Sequence, residues 1–370
     1  DAMRYIQSVL RRRSARFWSG YLLYIIGSQT AAFLCELILL LAAPQLFDNP
    51  TALTLLGSVP TYLFVLPPIY FFLRSIPHSA PQKHRLTAAK FLGLCAVTIF
   101  LMEAGSVLGT ISERLIDRIP GLVGKNVVEQ MLGGISPGVV LILVVMLAPI
   151  LEELFFRKLF LDRLGFVSRR VAVIACGLAF GLLHGNVSQF YYAFFMGCLF
   201  AAVYLKTGKL HYTVLLHAVA NFCGGFMPIL LDTKLSEETQ TLLQGDVLPE
   251  QLFALAPGQR EYAILSVVFS MLLSLLAFGG MVLCAVWLCR RICAAVRGKA
   301  ARNLQAAQTS RQAFAPPEAS EFDPTAAAQE ALPLCGRRAA RVLYGNVGFI
   351  CYVIICLFSF LLSVLPLGAA

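Results

Sequence analysis

Long apolar runs separated by short polar segments make up most of this chain of 370 residues. Each run has about the 20 residues that an α-helix needs to cross the hydrocarbon core of a membrane. The pattern therefore predicts an all-α fold, a polytopic transmembrane bundle of eight or nine helices. Nine candidate spans lie at approximately residues 17–43, 54–73, 89–110, 138–164, 170–187, 189–206, 210–231, 262–289 and 343–366.

Composition and charge placement support a membrane protein. Hydrophobic residues make up 58% of the chain and charged residues 14%, and the mean hydropathy is +0.75, far from the values of a soluble domain. Lys and Arg cluster before the first span and in alternate loops, such as 83–90 and 163–170, whereas loop 232–261 carries several acids. This positive-inside pattern predicts a multi-pass integral protein, of the cell membrane if the source is prokaryotic. The amino terminus is expected in the cytoplasm and, for nine spans, the carboxyl terminus outside.

The net charge is +10, and the basic residues responsible for it lie at the ends of the spans. We therefore expect membrane lipids and no nucleic acid among the partners. The basic segment 11–16 leads into a span too long for the apolar region of a signal peptide, and no cleavable signal is predicted. The eleven cysteines lie mostly inside spans and form no CxxC motif. They are interpreted as small apolar packing residues and not as a disulfide framework or a zinc ribbon.

The fourth span carries two adjacent carboxylates, Glu152 and Glu153, and a nearby Arg157. Each ionisable group at bilayer depth costs about 2.5–3.5 kcal/mol on insertion scales, so packing alone does not explain three of them. Glu153 and Arg157 are spaced i, i+4 and can pair on one helix face. Glu152 is rotated by about 100° from Glu153 and is left for chemistry. Pro149 cannot donate a backbone hydrogen bond, which predicts a kink and a free carbonyl near this site.

Two further spans carry His184 and the cofacial pair His217 and Asn221. Glu152 and His184 lie about 15 and 16 residues from the turn between their spans, which puts both roughly 22–24 Å from it. The next turn puts Asn221 at a similar depth, with His217 about one helical turn lower. Polar groups inside membranes normally face the bundle interior or a wet cavity. The four side chains are therefore expected to converge.

In their order and spacing, Glu152-Glu-Leu-Phe-Phe-Arg157, Phe180-x-x-x-His184 and His217-x-x-x-Asn221 resemble the CPBP family. This family comprises the CAAX-protease and bacteriocin-processing intramembrane endopeptidases, also called the Abi family, with relatives that resemble the Ras-converting CAAX endopeptidase. The resemblance covers about residues 135–225. It implies an intramembrane endopeptidase that acts on a membrane-associated peptide or protein.

The resemblance also implies roles for individual residues. Glu152 would be the general base that activates water, helped by His184. His217 and Asn221 would stabilise the oxyanion, and Glu153 with Arg157 would support the site. Glu152, His184 and His217 are also a His₂Glu set of the kind that binds Zn²⁺ in hydrolases, although the chain has no HExxH motif. A zinc-dependent and a metal-free mechanism both fit these residues, with preference for the metal-free one because an amide beside His217 suits oxyanion donation.

Around this segment the sequence predicts a division of the chain into five parts. Residues 1–134 hold amino-terminal transmembrane helices, and 135–231 form the CPBP-like catalytic core of four helices. Residues 232–297 hold an extracytoplasmic loop, with a short amphipathic helix, and the next span. A flexible cytoplasmic linker, 298–341, separates an accessory carboxyl-terminal helix, 342–370.

Several functions remain open from the sequence. The substrate is either the carboxyl-terminal CAAX box of a prenylated protein or a peptide pheromone, bacteriocin or membrane-anchored regulator. A proton-coupled transporter is the alternative from another class, because Glu36 and Glu103 also lie inside spans. A third hypothesis is a non-catalytic membrane scaffold. No pattern in the sequence indicates an oligomeric state.

Overall fold

The structure, a computed structural model, describes residues 2–124, 134–245, 247–312 and 336–365. These residues form an all-α membrane bundle, as predicted. The helices are α1 (Ala2–Ala42), α2 (Pro50–Arg74), α3 (Ala88–Ile116), α4 (Pro137–Leu159), α5 (Arg169–Leu183), α6 (Val187–Thr207), α7 (Leu210–Asp232), α8 (Glu237–Leu243), α9 (Pro249–Ala254), α10 (Gln259–Gln312), α11 (Gly336–Tyr344) and α12 (Val347–Val364). A short 3₁₀ turn, Pro44–Leu46, joins the first two.

Eight of the helices in the described residues, all but α5, α8, α9 and α11, are long and apolar enough to cross a membrane. The fifth predicted span, 170–187, is shorter than expected. Helix α5 has 15 residues, which cover about 22 Å at about 1.5 Å per residue, less than the roughly 30 Å of a hydrocarbon core. It ends because Gly185 turns the chain with φ of +64° and Asn186 caps α6. His184 therefore lies in this turn, whereas the sequence had placed it inside a helix.

The end of helix α10 and the residues after it also differ from the prediction. Helix α10 has 54 residues and continues through 298–312, where the sequence predicted the start of a flexible linker. Helix α11 occupies the end of that predicted linker, and residues 313–335 lie outside the described residues. Loop 232–261 holds two short helices, α8 and α9, where one was expected.

Glycine contacts bring the helices of the core close together. Gly177 of α5 and Gly197 of α6 face each other, and a Cβ on Gly197 would lie 2.9 Å from the Cα of Gly177. On the other side of α6, a Cβ on Gly109 of α3 would lie 2.8 Å from the carbonyl oxygen of Ser188. Small residues permit such approach inside membranes, where close packing drives helix association. These contacts place α6 between α3 and α5, next to the candidate site.

The first and last long helices are tied to the core by buried hydrogen bonds. On α1, Trp18 donates to the carbonyl of Leu343 at 2.8 Å, and Tyr21 donates to the carbonyl of Phe155 at 2.8 Å. On α12, the buried Tyr352 donates to the carbonyl of Ala179 on α5 at 2.6 Å. Helix α12 is thus packed into the bundle, although it follows a segment that the sequence set apart.

Three loops that carry the predicted cytoplasmic charges lie on one face of the bundle. The backbone N–H of Ser79 donates to the carbonyl of Asp162 at 2.7 Å, and that of His84 donates to the carbonyl of Thr207 at 2.8 Å. Arg163 inserts beside them and donates to the carbonyls of Leu73 and Leu159. The shared face agrees with the charge pattern, while the orientation of the bundle in the membrane stays a prediction.

Candidate active site

A cavity of about 580 Å³ is lined by residues of helices α2 to α7 and of α10. Its wall includes the four residues that the sequence predicted to be catalytic: Glu152 on α4, His184 in the turn after α5, and His217 and Asn221 on α7. The equal depths inferred from helix rise thus correspond to one shared cavity. Their catalytic roles remain predictions at this point.

Below the cavity, Glu153 and Arg157 form the ion pair expected from their spacing. Both side chains are fully buried, and Nε of Arg157 lies 2.9 Å from Oε2 of Glu153, although this contact is not aligned as a hydrogen bond. Nη2 of Arg157 has no hydrogen-bond acceptor among the described residues. The rings of Phe180 and Phe200 lie 4.7 and 5.5 Å from its Cζ and stabilise the cation through their faces.

His217 connects this buried pair to the cavity. Its Nδ1 lies 3.0 Å from Oε1 of Glu153, and its Nε2 lies 3.8 Å from Oε2 of Glu152. The side chain of His217 is 5% exposed and that of Glu152 is 26% exposed. Because a carboxylate only accepts hydrogen bonds, Nδ1 carries a proton. The ring therefore presents Nε2 to Glu152 and the cavity.

His184 is oriented in the same way by a backbone group. Its Nδ1 lies 2.8 Å from the carbonyl oxygen of Phe180, which accepts the Nδ1–H. A neutral His184 thus has its acceptor lone pair on Nε2. The Phe180 ring lies edge-on to both imidazoles, with centroids 5.1 Å from His184 and 5.7 Å from His217. Phe180 therefore packs against both imidazole rings.

Asn221 is fixed by the carbonyl that Pro149 leaves free. Helix α4 contains a π-helical segment, Val140–Leu147, in which Ala148 donates its N–H to Leu143, five residues back. In this register residue 149 would donate to Val144, but proline has no N–H. Nδ2 of Asn221 takes that place and donates to the Val144 carbonyl at 2.8 Å. The predicted free acceptor is present, one residue earlier than an α-helical register would put it.

The residues of the zinc hypothesis were Glu152, His184 and His217. Within the ranges that the structure describes, no three His, Cys, Asp or Glu side chains are grouped as ligands of one metal ion. Glu152 and His217 approach each other, but the arrangement lacks the third close ligand of a His₂Glu site. As arranged, these side chains do not fit a zinc site. The described cysteines are free thiols; Cys176 and Cys356 are buried, whereas Cys289 and Cys293 are exposed.

The cavity also contains polar residues for which the sequence gave no role in the site. Glu103 of α3 lines the wall, together with Gln189 and Tyr192 of α6. Gln189 donates to the Tyr192 hydroxyl at 2.9 Å. Helix periodicity alone could not show which face of α3 or α6 meets the cavity. Glu36, cited with Glu103 for a proton pathway, is exposed on α1 and is not part of the wall.

Comparison with known proteins gives one family match. Residues 134–223 match the family model described as type II CAAX prenyl endopeptidase Rce1-like. No curated protein matches the chain, and no solved structure does. The matched segment includes α4 to α6 and most of α7, and it holds all six residues that the sequence assigned to the site and its support. This multi-pass membrane protein is thus similar, over residues 134–223, to the Rce1-like type II CAAX prenyl endopeptidases.

Proposed function

We propose that the chain is an intramembrane endopeptidase that hydrolyses a peptide bond of a membrane-associated peptide or protein with water activated by Glu152. The observation that carries this proposal is the position of His217, held by Glu153 at 3.0 Å with its other nitrogen 3.8 Å from Glu152 in the cavity wall. A buried imidazole fixed between two carboxylates is more than packing requires, because each such group is costly inside a membrane.

Glu152 is the general base in this mechanism. It is the more exposed of the two carboxylates, and unlike Glu153 it has no arginine partner among the described residues. A water beside it can donate one proton toward Glu152 and the other to Nε2 of His184, which is an acceptor in the neutral ring. As the water oxygen bonds to the substrate carbonyl carbon, its proton moves to Glu152. The same proton then passes to the leaving amine nitrogen when the C–N bond breaks.

His217 and Asn221 stabilise the oxyanion that forms on the substrate carbonyl. Since Nδ1–H of His217 already donates to Glu153, donation through Nε2 requires the imidazolium form. Asn221 uses one amide hydrogen for Val144 and retains a second for the substrate. Donors aimed at developing charge in a water-poor site are typically the largest contribution to catalysis.

The proposal does not require a metal ion, and no step passes through one. It covers two substrate classes, a prenylated CAAX box and an unprenylated peptide such as a pheromone, bacteriocin or membrane-anchored regulator. The family description supports the first class. The 580 Å³ cavity is within the size range of sites that enclose small ligands, so a few peptide residues can enter it.

A cleavage assay on the purified protein in liposomes tests this function. The substrates are a farnesylated CAAX peptide, the same peptide without the lipid, and a panel of membrane-anchored peptides, with products identified by mass spectrometry. Cleavage of any of them that the Glu152→Gln variant cannot perform supports the proposal. Comparison of the two CAAX peptides decides whether the lipid is recognised. Failure of the folded wild type to cleave any member of a broad peptide library would contradict an endopeptidase.

A further inference from the structure

Three of the four π-helical turns in the described residues end two residues before a proline. The turns are Thr61–Val65 on α2, Val140–Leu147 on α4 and Phe222–Phe226 on α7. In each, the residue after the turn donates its N–H five residues back. The next donor in that register is missing, because the residues there are Pro67, Pro149 and Pro228. The carbonyls that lose their helical donor belong to Tyr62, Val144 and Cys223.

All three of these residues line the cavity. Their carbonyls come from three different helices that surround Glu152. A carbonyl inside a membrane needs a hydrogen-bond donor, which neighbouring side chains or water normally supply where proline interrupts a helix. At Val144 the donor is Asn221, at 2.8 Å. No side chain in the described residues donates to the corresponding carbonyls of Tyr62 and Cys223, so two acceptors beside the cavity remain available.

We propose that the backbone carbonyls of Tyr62 and Cys223 bind the substrate by accepting hydrogen bonds from its peptide N–H groups. This inference rests on the proposed endopeptidase function. A peptide that enters a membrane cavity leaves water and must find acceptors for its own N–H groups, because each unpaired one is costly there. Main-chain hydrogen bonds hold an extended segment independently of its side chains. The prolines thus free the acceptors that hold the peptide beside Glu152.

The test restores the missing donors one at a time. Pro67→Ala and Pro228→Ala each return an N–H that can bond to the carbonyl of Tyr62 or Cys223 within the helix. The matched control is Pro68→Ala. It returns an N–H to the same part of α2, but the carbonyls within its reach belong to Leu63 and Phe64, which are 61% and 73% exposed and do not line the cavity. Alanine has the higher helix propensity, so each variant is expected to fold, and thermal melting in detergent checks it.

The readouts are KM and kcat for a cleaved peptide and a scan of that peptide with single N-methyl groups. We expect Pro67→Ala and Pro228→Ala to raise KM by roughly three- to tenfold, the size of one hydrogen bond, and Pro68→Ala to leave it unchanged. N-methylation at the two bound nitrogens should raise KM for the wild type. In Pro67→Ala, N-methylation at one of these nitrogens should no longer raise KM. In Pro228→Ala, N-methylation at the other nitrogen should no longer raise KM.

Two outcomes overturn the inference while leaving the endopeptidase intact. One is a wild-type enzyme that cleaves every N-methylated peptide equally well. The other is a KM for Pro67→Ala and Pro228→Ala equal to that of Pro68→Ala, which would mean that the two carbonyls bind only water. By contrast, a wild type that cleaves no peptide at all would contradict the proposed endopeptidase function, and the inference would fail with it.

Discussion

Nδ1 of His217 lies 3.0 Å from Oε1 of Glu153, a residue of α4 that is completely buried. The same carboxylate contacts Arg157, so the three side chains form one continuous polar chain from the protein interior to the cavity. Glu153 thereby fixes which nitrogen of His217 faces the reaction. The protonation of that nitrogen separates the two candidate mechanisms, because an oxyanion donor must carry a hydrogen on Nε2 and a metal ligand must not.

The first prediction concerns the state of His217. In ¹⁵N-histidine-labelled protein, assigned with a His217→Gln variant, the oxyanion role requires a hydrogen on both nitrogens of His217 in the active enzyme. Elemental analysis of the active protein should show no stoichiometric zinc, and chelators should have little effect on turnover. Near one equivalent of zinc, with activity lost on chelation and regained with zinc, would establish the metal-dependent alternative.

The second prediction concerns the buried ion pair. Arg157→Ala leaves the Glu153 carboxylate without its counter-ion in a fully buried position, which typically costs about 3–5 kcal/mol. The melting temperature in detergent should therefore fall well below that of Glu152→Gln, whose side chain is partly exposed. The double variant Glu153→Gln, Arg157→Met, which removes both charges, should recover part of the loss. Equal melting temperatures for Arg157→Ala and Glu152→Gln would remove the structural role of the pair.

The third prediction separates the two uses of Asn221. Asn221→Ala should lower stability, because the Val144 carbonyl loses its donor at a cost of about 1–3 kcal/mol. It should also lower kcat, because an oxyanion donor is lost. Adding Pro149→Ala returns an N–H in the register of the π-helical segment, so the melting temperature should recover while kcat stays low. If kcat recovers with stability, Asn221 only supports the fold.

Two features of this site could be predicted from the sequence alone. The spacing of Glu153 and Arg157 is local to one helix, so their pairing followed from helix geometry alone. The shared depth of Glu152, His184 and Asn221 followed from counting residues between turns. Both methods use distances along a helix, which are nearly constant.

What the sequence could not show depends on helix rotation and register. His217 was predicted to be an oxyanion donor or a zinc ligand, whereas its bond to Glu153 depends on how α7 is rotated against α4. The end of α5 at Leu183 depends on a turn at Gly185 within an apolar stretch. The π-helical segment before Pro149 shifted the free carbonyl to Val144, since composition does not reveal a change from four- to five-residue hydrogen bonding.

The fourth prediction concerns orientation in the membrane. Ser79 and Thr241 are exposed in loops that the charge pattern assigns to opposite sides. With the exposed Cys289 and Cys293 replaced by serine, Ser79→Cys should react with a membrane-impermeant thiol reagent only from the cytoplasmic side. Thr241→Cys should react only from outside. The reverse labelling would invert the bundle and change the side from which substrates reach the cavity.

The most direct test of the account is the turnover number of purified Glu152→Gln compared with wild type on one cleaved peptide. Glutamine keeps the size of the side chain but cannot accept the proton of the attacking water. The account predicts a fall in kcat of at least ~10²-fold, as for loss of a general base, with little change in melting temperature because Glu152 is outside the buried pair. A Glu152→Gln enzyme that cleaves at nearly the wild-type rate would contradict the assignment of Glu152 as the base.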